Sequence, residues 1–484
     1  MARVVVLGAG VSGHTAASYL RKNLSKEHDV IVVSPNSNYQ WIPSNIWIGI
    51  GRMTEKDTVF PLAPLYKKKN IRFIQAKGTT FYPEGDESID KGYVLAEYVT
   101  GDKKGQTEKV QYDYLINATG PKLNFEATEG LKPGTNKTVS VCTYDHALHA
   151  WKELYLLIQR MRKGEKVKIL IGTGHAKATC QGAAFEYIMN VEQELQRHKV
   201  RHMAEITWIS NEYEVGDFGI DGMTIKMGKK IMPGKDLIEM VYADRGVKII
   251  KRAGVNKIED GIAHYETLDG EYKSETYDFA MLIPAFSGHG FKAYDKKGGD
   301  ITGKLFKGFM IVDADYTPRP YNEWTVKDWP ETYQNPSYKN IFAPGIAFAP
   351  PHTISKPRTS KNGTPIFPAP PRTGMPSGIT AKLVADNIVD MIKSGSNKIN
   401  HLGSMGNMGA ACIASTGYGI LKGRGVTITT NPIVPDYKKY PKTGRIDSKT
   451  IGDLGLAGHW VKLSLHYAFI WKAKMKPFWW LIPE

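Results

Sequence analysis

Val4 to Leu24 reads VVVLGAGVSGHTAASYLRKNL, and the change of periodicity inside this stretch decides the fold. A continuous apolar run, Val4-Val5-Val6-Leu7, gives way across three glycines to a helical pattern whose apolar positions are Ala16, Ala17, Tyr19 and Leu20. A second run, Val30-Ile31-Val32-Val33, follows. Strand, glycine turn, helix and strand make a βαβ unit that opens a parallel sheet. Gly8, Gly10 and Gly13 stand in the G-x-G-x-x-G spacing, where they permit a tight turn and let a pyrophosphate approach the positive end of a helix. The acidic residue that usually holds a ribose about 20 residues further on is absent, and the second strand ends at Ser34.

A second strand-glycine-helix unit lies at Lys166 to Ile188, KVKILIGTGHAKATCQGAAFEYI. Gly172 and Gly174 are in place, but Lys177 stands where the third glycine belongs and Cys180 sits in the expected first helical turns. The nicotinamide fingerprint is therefore broken. Two further apolar strands end in small-residue turns, YDYLINATG (Tyr112–Gly120) and YKNIFAPGIA (Tyr338–Ala347). The proline-rich stretch from Ala349 to Gly374 reads as an ordered loop, because helical patterning resumes at once over Gly378 to Ile392.

With 484 residues, 42% hydrophobic and 23% charged, the composition is that of a globular protein of several domains, and it excludes a disordered or multi-span chain. The net charge of +16 suits an acidic partner. Three cysteines, Cys142, Cys180 and Cys412, offer neither a disulfide framework nor a zinc spacing, and no metal site is expected. The first strand begins almost at the initiator Met, so no signal peptide is expected.

Taken together, these segments resemble the sulfide:quinone oxidoreductases. The matching pieces are LGAGVSG, YQWIPSNIWIGIG (Tyr39–Gly51), YDYLINATGPKL, VCTYDHA (Val141–Ala147), ATCQGAAFE (Ala178–Glu186), MLIPAF (Met281–Phe286), NIFAPGIA, PPRTG (Pro370–Gly374) and GAACIASTGYG (Gly409–Gly419). They run in the family's order over nearly the whole chain, and all three cysteines fall on the family's cysteine positions. The resemblance implies an α/β fold of two Rossmann-like dinucleotide-binding domains of the glutathione-reductase kind plus a C-terminal amphipathic membrane-surface segment. The FAD-binding domain would comprise 1–150 and 300–420, the second Rossmann-like domain 151–299, and the membrane-docking and quinone segment 421–484.

The resemblance further implies that hydrogen sulfide is oxidised to sulfane sulfur while a membrane quinone is reduced through FAD. Cys180 and Cys412 would be the redox pair, a chemistry that thiol-disulfide exchange supports, with a helix start favouring the Cys180 thiolate. Glu186 would accept a proton, His146 would assist, and Cys142 would be either a sulfur-carrying thiol or a thioether tether to the flavin. FAD would contact Gly8, Ala9, Gly10, Val11, Ser12, Gly13, Ser34, Pro35, Ser44, Asn45, Ala76, Ala118, Thr119, Gly120, Pro121, Gly345, Ile346, Arg372, Thr373 and Gly374. Ile346, Phe348, Phe469 and Trp479 would line the quinone site. Two departures stand out: the run EVGDFGIDG puts Asp217 where the family commonly has a histidine, and Arg372 replaces a lysine.

From Leu421 onward there are eleven Lys and Arg against four Asp and Glu, interleaved with Trp460, Tyr467, Phe469, Trp471, Phe478, Trp479 and Trp480. Basic and aromatic residues mixed in this way suit an anionic lipid surface rather than nucleic acid, so a peripheral, monotopic membrane protein is expected, assembled from identical copies. A terminal helix that merely completes the core is the competing reading of this tail. Among other functions, the flavin subunit of a flavocytochrome sulfide dehydrogenase or a flavin-bearing sulfur carrier would share the cysteines but needs no such tail, and a nicotinamide:quinone reductase would need the intact second glycine motif.

Overall fold

The computed structural model describes residues 1–227, 229–371, 374–405, 407–417 and 423–484. Val4, Val5, Val6 and Leu7 lose nearly all their surface, as expected for a strand covered on both faces. They form the middle of a five-stranded parallel sheet in the order Ile341–Phe342, Tyr114–Asn117, Arg3–Leu7, Asp29–Val33, Arg72–Ile74. The helix Val11–Asn23 crosses between the first two strands in sequence and packs on the long helix Gly374–Ser394. Four strands of this sheet therefore end at one edge, at Leu7, Val33, Asn117 and Phe342, and the segments beginning at Gly8, Ser34, Ala118 and Ala343 converge there.

Two glycines make the first turn possible. Gly8 has φ +92°, and a Cβ on it would lie 2.4 Å from the Ala118 carbonyl oxygen. A Cβ on Gly13 would stand 2.0 Å from the Gly8 oxygen, so only glycine lets the helix press this closely on the strand.

A second parallel sheet runs Thr138–Val139, Phe279–Ile283, Val167–Thr173, Ala204–Ile209, Val247–Ile250, built around the second strand-glycine-helix unit. The two Rossmann-like domains are thus both present.

A third, mixed sheet joins distant parts of the chain in the order Lys230–Pro233, Thr224–Met227, Ile451–Gly455, Arg424–Thr430, Ala410–Thr416. The boundary expected at 421 falls inside this sheet. Strand Ile451–Gly455 pairs with Thr224–Met227 on one side and Arg424–Thr430 on the other, so the C-terminal segment is woven into the body. The helix Leu456–Ala473 that follows packs across strands 424–430 and 410–416. No helix among the described residues is long and apolar enough to cross a membrane.

Candidate active site

The turn that opens the first helix is shaped for an anion. Gly10 occupies the helix N-cap without a side chain to cap it, and nothing stands within 4 Å of the place a Cβ would take. Exposed helix amides and the helix dipole favour a phosphate in such a place. Around it stand Ala9, Ser12, buried Ser34, Ala118 and Gly120, the last with φ +66° and its Cβ direction 4.0 Å from Ile346. A Cβ on Gly345 would stand 2.0 Å from Ser12 Oγ, which itself donates to the Ser377 carbonyl at 2.8 Å. The small residues and the open helix end fit a dinucleotide such as FAD.

Other expected FAD contacts are committed elsewhere. Ser44 Oγ is 2.8 Å from His466 Nδ1 on the C-terminal helix, Asn45 Nδ2 donates to the Val141 carbonyl at 3.1 Å, and Ala76 is fully buried in a strand paired to Tyr98. Only their backbones are open to such a role. Thr119 Oγ1 donates to Asn117 Oδ1 at 2.8 Å. Arg372 and Thr373 lie outside the described residues, and Gly374 begins the long helix.

The second glycine turn is filled by the chain itself. The helix does not start after Gly174 but at Gln181, with Cys180 as its N-cap. Gln181 Nε2 donates to Asn211 Oδ1 at 2.8 Å and to the Ala178 carbonyl at 3.1 Å, while Asn211 Nδ2 donates to the carbonyls of Ala176 and Ala178 at 3.0 and 2.9 Å. The Phe367 amide, from the proline-rich loop, donates to the Ala176 carbonyl at 3.1 Å. Side chains and backbone of 175–181 and 367 thus meet where a second pyrophosphate would need to approach.

These bonds hold Cys180 at φ 83°, ψ 36°, a left-handed conformation that a non-glycine residue adopts at a cost and that clusters at functional positions. The Cys412 sulfur lies 3.5 Å from the Cβ direction of Gly182, two residues into the same helix. Cys180 feels the charges of both Cys412 and Cys142, so the three sulfurs are neighbours although 38 and 232 residues separate them in sequence.

Burial pushes the Cys180 thiol up to about 12 and the Cys142 thiol up to about 11. This corrects the expectation that the helix start would stabilise a Cys180 thiolate: desolvation outweighs the dipole. Desolvation also raises the Cys412 thiol, though this residue keeps solvent-exposed surface and the positive charge of Lys462 opposes the rise.

Glu186 is buried one and a half turns further along the helix. Its carboxylate is gripped by Lys462 Nζ through both oxygens and accepts from the Ser415 amide at 3.0 Å. Burial raises its pKa, and the Lys462 charge and hydrogen bonds oppose that rise. Lys462 also lies 5.4 Å from the Trp47 ring centroid. One turn before it, buried His459 places Nδ1 2.6 Å from Ser415 Oγ. Sequence reasoning assigned Lys462 to a lipid-facing surface and passed over His459; a signal existed in the i, i+3 spacing that puts both on one helical face. His146 packs edge-on to Phe125 at 5.8 Å, its Nδ1 buried without a partner, and burial lowers its pKa.

The residues expected at the quinone separate. Ile346 stands at the flavin side beside Gly120, and Phe469 stacks on Trp41 at 4.9 Å and 11°. Phe348, however, is enclosed between Trp329 and Tyr333, at 6.1 and 5.5 Å. Trp479 is only 5% exposed and packs edge-on to Tyr19 at 4.9 Å. These two rings close the core, because their faces are covered by other aromatics.

Comparison with known proteins agrees with this geometry. Residues 2–196 match the pyridine nucleotide-disulphide oxidoreductase family. The chain is similar to the sulfide-quinone reductase of Aquifex aeolicus, 30% identical over 97% of this chain and 91% of that one. It is also similar to the mitochondrial sulfide:quinone oxidoreductase of Dictyostelium discoideum, 23% identical over 71% of this chain and 64% of that one. The X-ray structure of the Aquifex aeolicus enzyme superposes with a TM-score of 0.74, covering 98% of this chain and 92% of that chain at 27% identity.

Proposed function

The chain belongs to the sulfide-quinone reductase family, and from that premise we propose that Cys180 and Cys412 are the redox pair through which it works. The protein is an FAD-dependent enzyme that oxidises sulfide and reduces a quinone. FAD, when bound, supplies a two-electron acceptor that passes reducing equivalents to the quinone. The observation that carries the cysteine assignment is the Cys412 sulfur beside Gly182, at the start of the helix that Cys180 caps in a strained conformation.

Hydrosulfide attacks one sulfur of the Cys180–Cys412 linkage; a sulfur–sulfur bond forms to the incoming atom, the original bond breaks, and the other cysteine departs as thiolate. With burial holding Cys180 near 12, that cysteine is protonated at neutral pH and must give up its proton to act. Glu186 is the acceptor placed for this, kept ionisable by Lys462. Cys412, nearer the Lys462 charge and partly open, is the readier thiolate. Cys142, close enough to interact with Cys180, takes sulfur from the pair, and His146 serves this side of the site. The FAD contacts are the segments at 8–13, 34–35, 118–121 and 345–346, with Ile346 and Phe469 toward the quinone.

The outer face of the C-terminal segment docks on an anionic lipid surface. Tyr467, Phe478 and Leu481 are 63%, 66% and 71% exposed, in contrast with buried Trp479, and Lys474 and Lys476 stand among them. Association of identical copies belongs to the same proposal. Anaerobic mixing of Cys180→Ser and Cys412→Ser variants with sulfide and a soluble quinone tests the core reading. Each should retain flavin and lose quinone reduction by more than about 100-fold, since either member of a couple disables the whole. Near-native turnover in either variant would falsify the assignment.

A further inference from the structure

We propose that Phe218 is a steric sieve over the Cys412 sulfur, which sets how bulky a thiol can enter the reaction; this rests on the reading of Cys180 and Cys412 as the redox pair. A Cβ placed on Gly182 would be 4.0 Å from Phe218 Cδ1 and 3.5 Å from Cys412 Sγ. The ring and the sulfur therefore crowd the same point at the helix start. The loop bearing Phe218 also touches Gln181, since a Cβ on Gly219 would stand 2.8 Å from Gln181 Oε1. Two contacts to consecutive residues, both next to Cys180, place this loop as the wall of the sulfur site on its side.

The backbone is held where a phenylalanine does not go by preference. Phe218 has φ +49°, in the left-handed region that bulky side chains avoid. The surroundings over-determine it. The Gly219 amide donates to Glu212 Oε1 and the Met223 amide to Asp217 Oδ1, both at 3.3 Å. From the proline-rich loop, Ser355 Oγ donates to the Gly219 carbonyl and the Lys356 amide to Asp221 Oδ2 at 2.7 Å. Arg445 Nη1, from the C-terminal part of the chain, donates to the Asp221 carbonyl at 3.2 Å. The ring itself is braced edge-on by Phe185 at 5.3 Å. A strained residue clamped from three directions, with its ring on a reacting sulfur, is strain spent on positioning.

Hydrosulfide is one heavy atom and passes. An organic thiol carries carbon behind its sulfur, and that carbon meets the ring. Where a thiol does enter, the first molecule opens the Cys180–Cys412 linkage by forming a mixed disulfide. A second thiol displaces the first as the organic disulfide, leaving both cysteines reduced. The two thiols lose two electrons and two protons, and FAD is the acceptor that the established activity supplies.

The test compares anaerobic flavin bleaching by hydrosulfide, 2-mercaptoethanol and glutathione in the holoenzyme and in Phe218→Ala and Phe218→Gly. Glycine suits a positive φ, so the second variant relieves the strained backbone even if the first misfolds. Both variants should raise the ratio of 2-mercaptoethanol to hydrosulfide kcat/KM about tenfold or more, the scale at which pocket sterics discriminate, with a smaller gain for glutathione. An unchanged ratio in flavin-replete Phe218→Gly overturns the sieve. Hydrosulfide bleaching that survives in Cys180→Ser instead overturns the redox-pair reading beneath it.

Discussion

Lys462 Nζ holds both carboxylate oxygens of Glu186, a buried ion pair between residues 276 positions apart. It ties the C-terminal helix to the helix that Cys180 caps. The positive charge works on two groups at once: it keeps Glu186 ionisable against burial and restrains the Cys412 thiol from rising further. The tail is thus part of the sulfur site.

Removing one partner of a buried pair leaves the other charge uncompensated, which costs about 3–5 kcal/mol. Lys462→Met should accordingly lower thermal stability by that order and slow flavin reduction by sulfide. Lys462→Met with Glu186→Gln should recover most of the stability, since no unpaired charge remains, but not the rate, since the proton acceptor is gone. Recovery of both in the double variant would show the pair to be structural alone.

Glu212 and Asp217 are buried carboxyl groups that repel each other, desolvation being the larger cause; Glu212 is pushed up to about 8 and Asp217 to about 7. A group whose folded pKa is raised gives stability that is fully present below its unfolded pKa, near 4.5 for Glu212, and is lost as pH rises through the folded value. At about 1.4 kcal/mol per pKa unit, ionising Glu212 in the folded state costs on the order of 5 kcal/mol. Glu212→Gln should match wild-type melting at pH 5, where the side chain is already neutral, and exceed it at pH 9. A melting difference independent of pH would mean that Glu212 does not titrate in this window.

Alkylation should distinguish the cysteines. With Cys180 near 12, its thiolate fraction at pH 8 is about one in ten thousand, and the thiolate is the reactive form. In reduced protein, iodoacetamide should therefore label exposed Cys412 well before Cys180 or Cys142, as read by peptide mass spectrometry. Labelling of Cys180 first would place the stronger stabilising charge at the helix start.

What the sequence displays well is local. The run Val4–Leu7, the glycine spacing and the broken motif at Lys177 report on a strand, a tight turn and a closed second cleft, because each depends on residues a few positions apart. Lys462 and His459 were not legible as site residues because their partners, Glu186 and Ser415, come from elsewhere in the chain, and the basic-aromatic composition around them is equally that of a lipid surface. Trp479 and Phe348 show the same limit from the apolar side: composition marks an aromatic, but only packing against Tyr19, Trp329 or Tyr333 tells whether its face is free. Cys180 adds an energetic lesson, since a helix start and burial push a thiol in opposite directions and only the solvent exclusion of the folded site decides which wins.

The tail itself invites a sharper experiment than removal. Truncation after Arg445 would take strand Ile451–Gly455 from between two others, Lys462 from Glu186, and the Ala473 carbonyl from His14, whose Nε2 it meets at 2.7 Å. Folding and flavin retention should fail together, so that variant reports on packing and not on lipid. Charge reversal on the outer face leaves those contacts alone. Tyr467→Glu with Phe478→Glu alters two rings that are mostly exposed, and it weakens both apolar insertion and attraction to anionic lipid, where each basic residue near the surface contributes about 1 kcal/mol. The double variant should keep its flavin and its sulfide half-reaction within about twofold, because surface changes distant from packed groups are nearly neutral. It should lose co-sedimentation with anionic liposomes and turnover with a membrane-embedded quinone, while added salt should weaken wild-type binding in the same direction by screening. Undiminished liposome binding by the folded double variant would sink the docking assignment and leave the aromatic face to a protein partner.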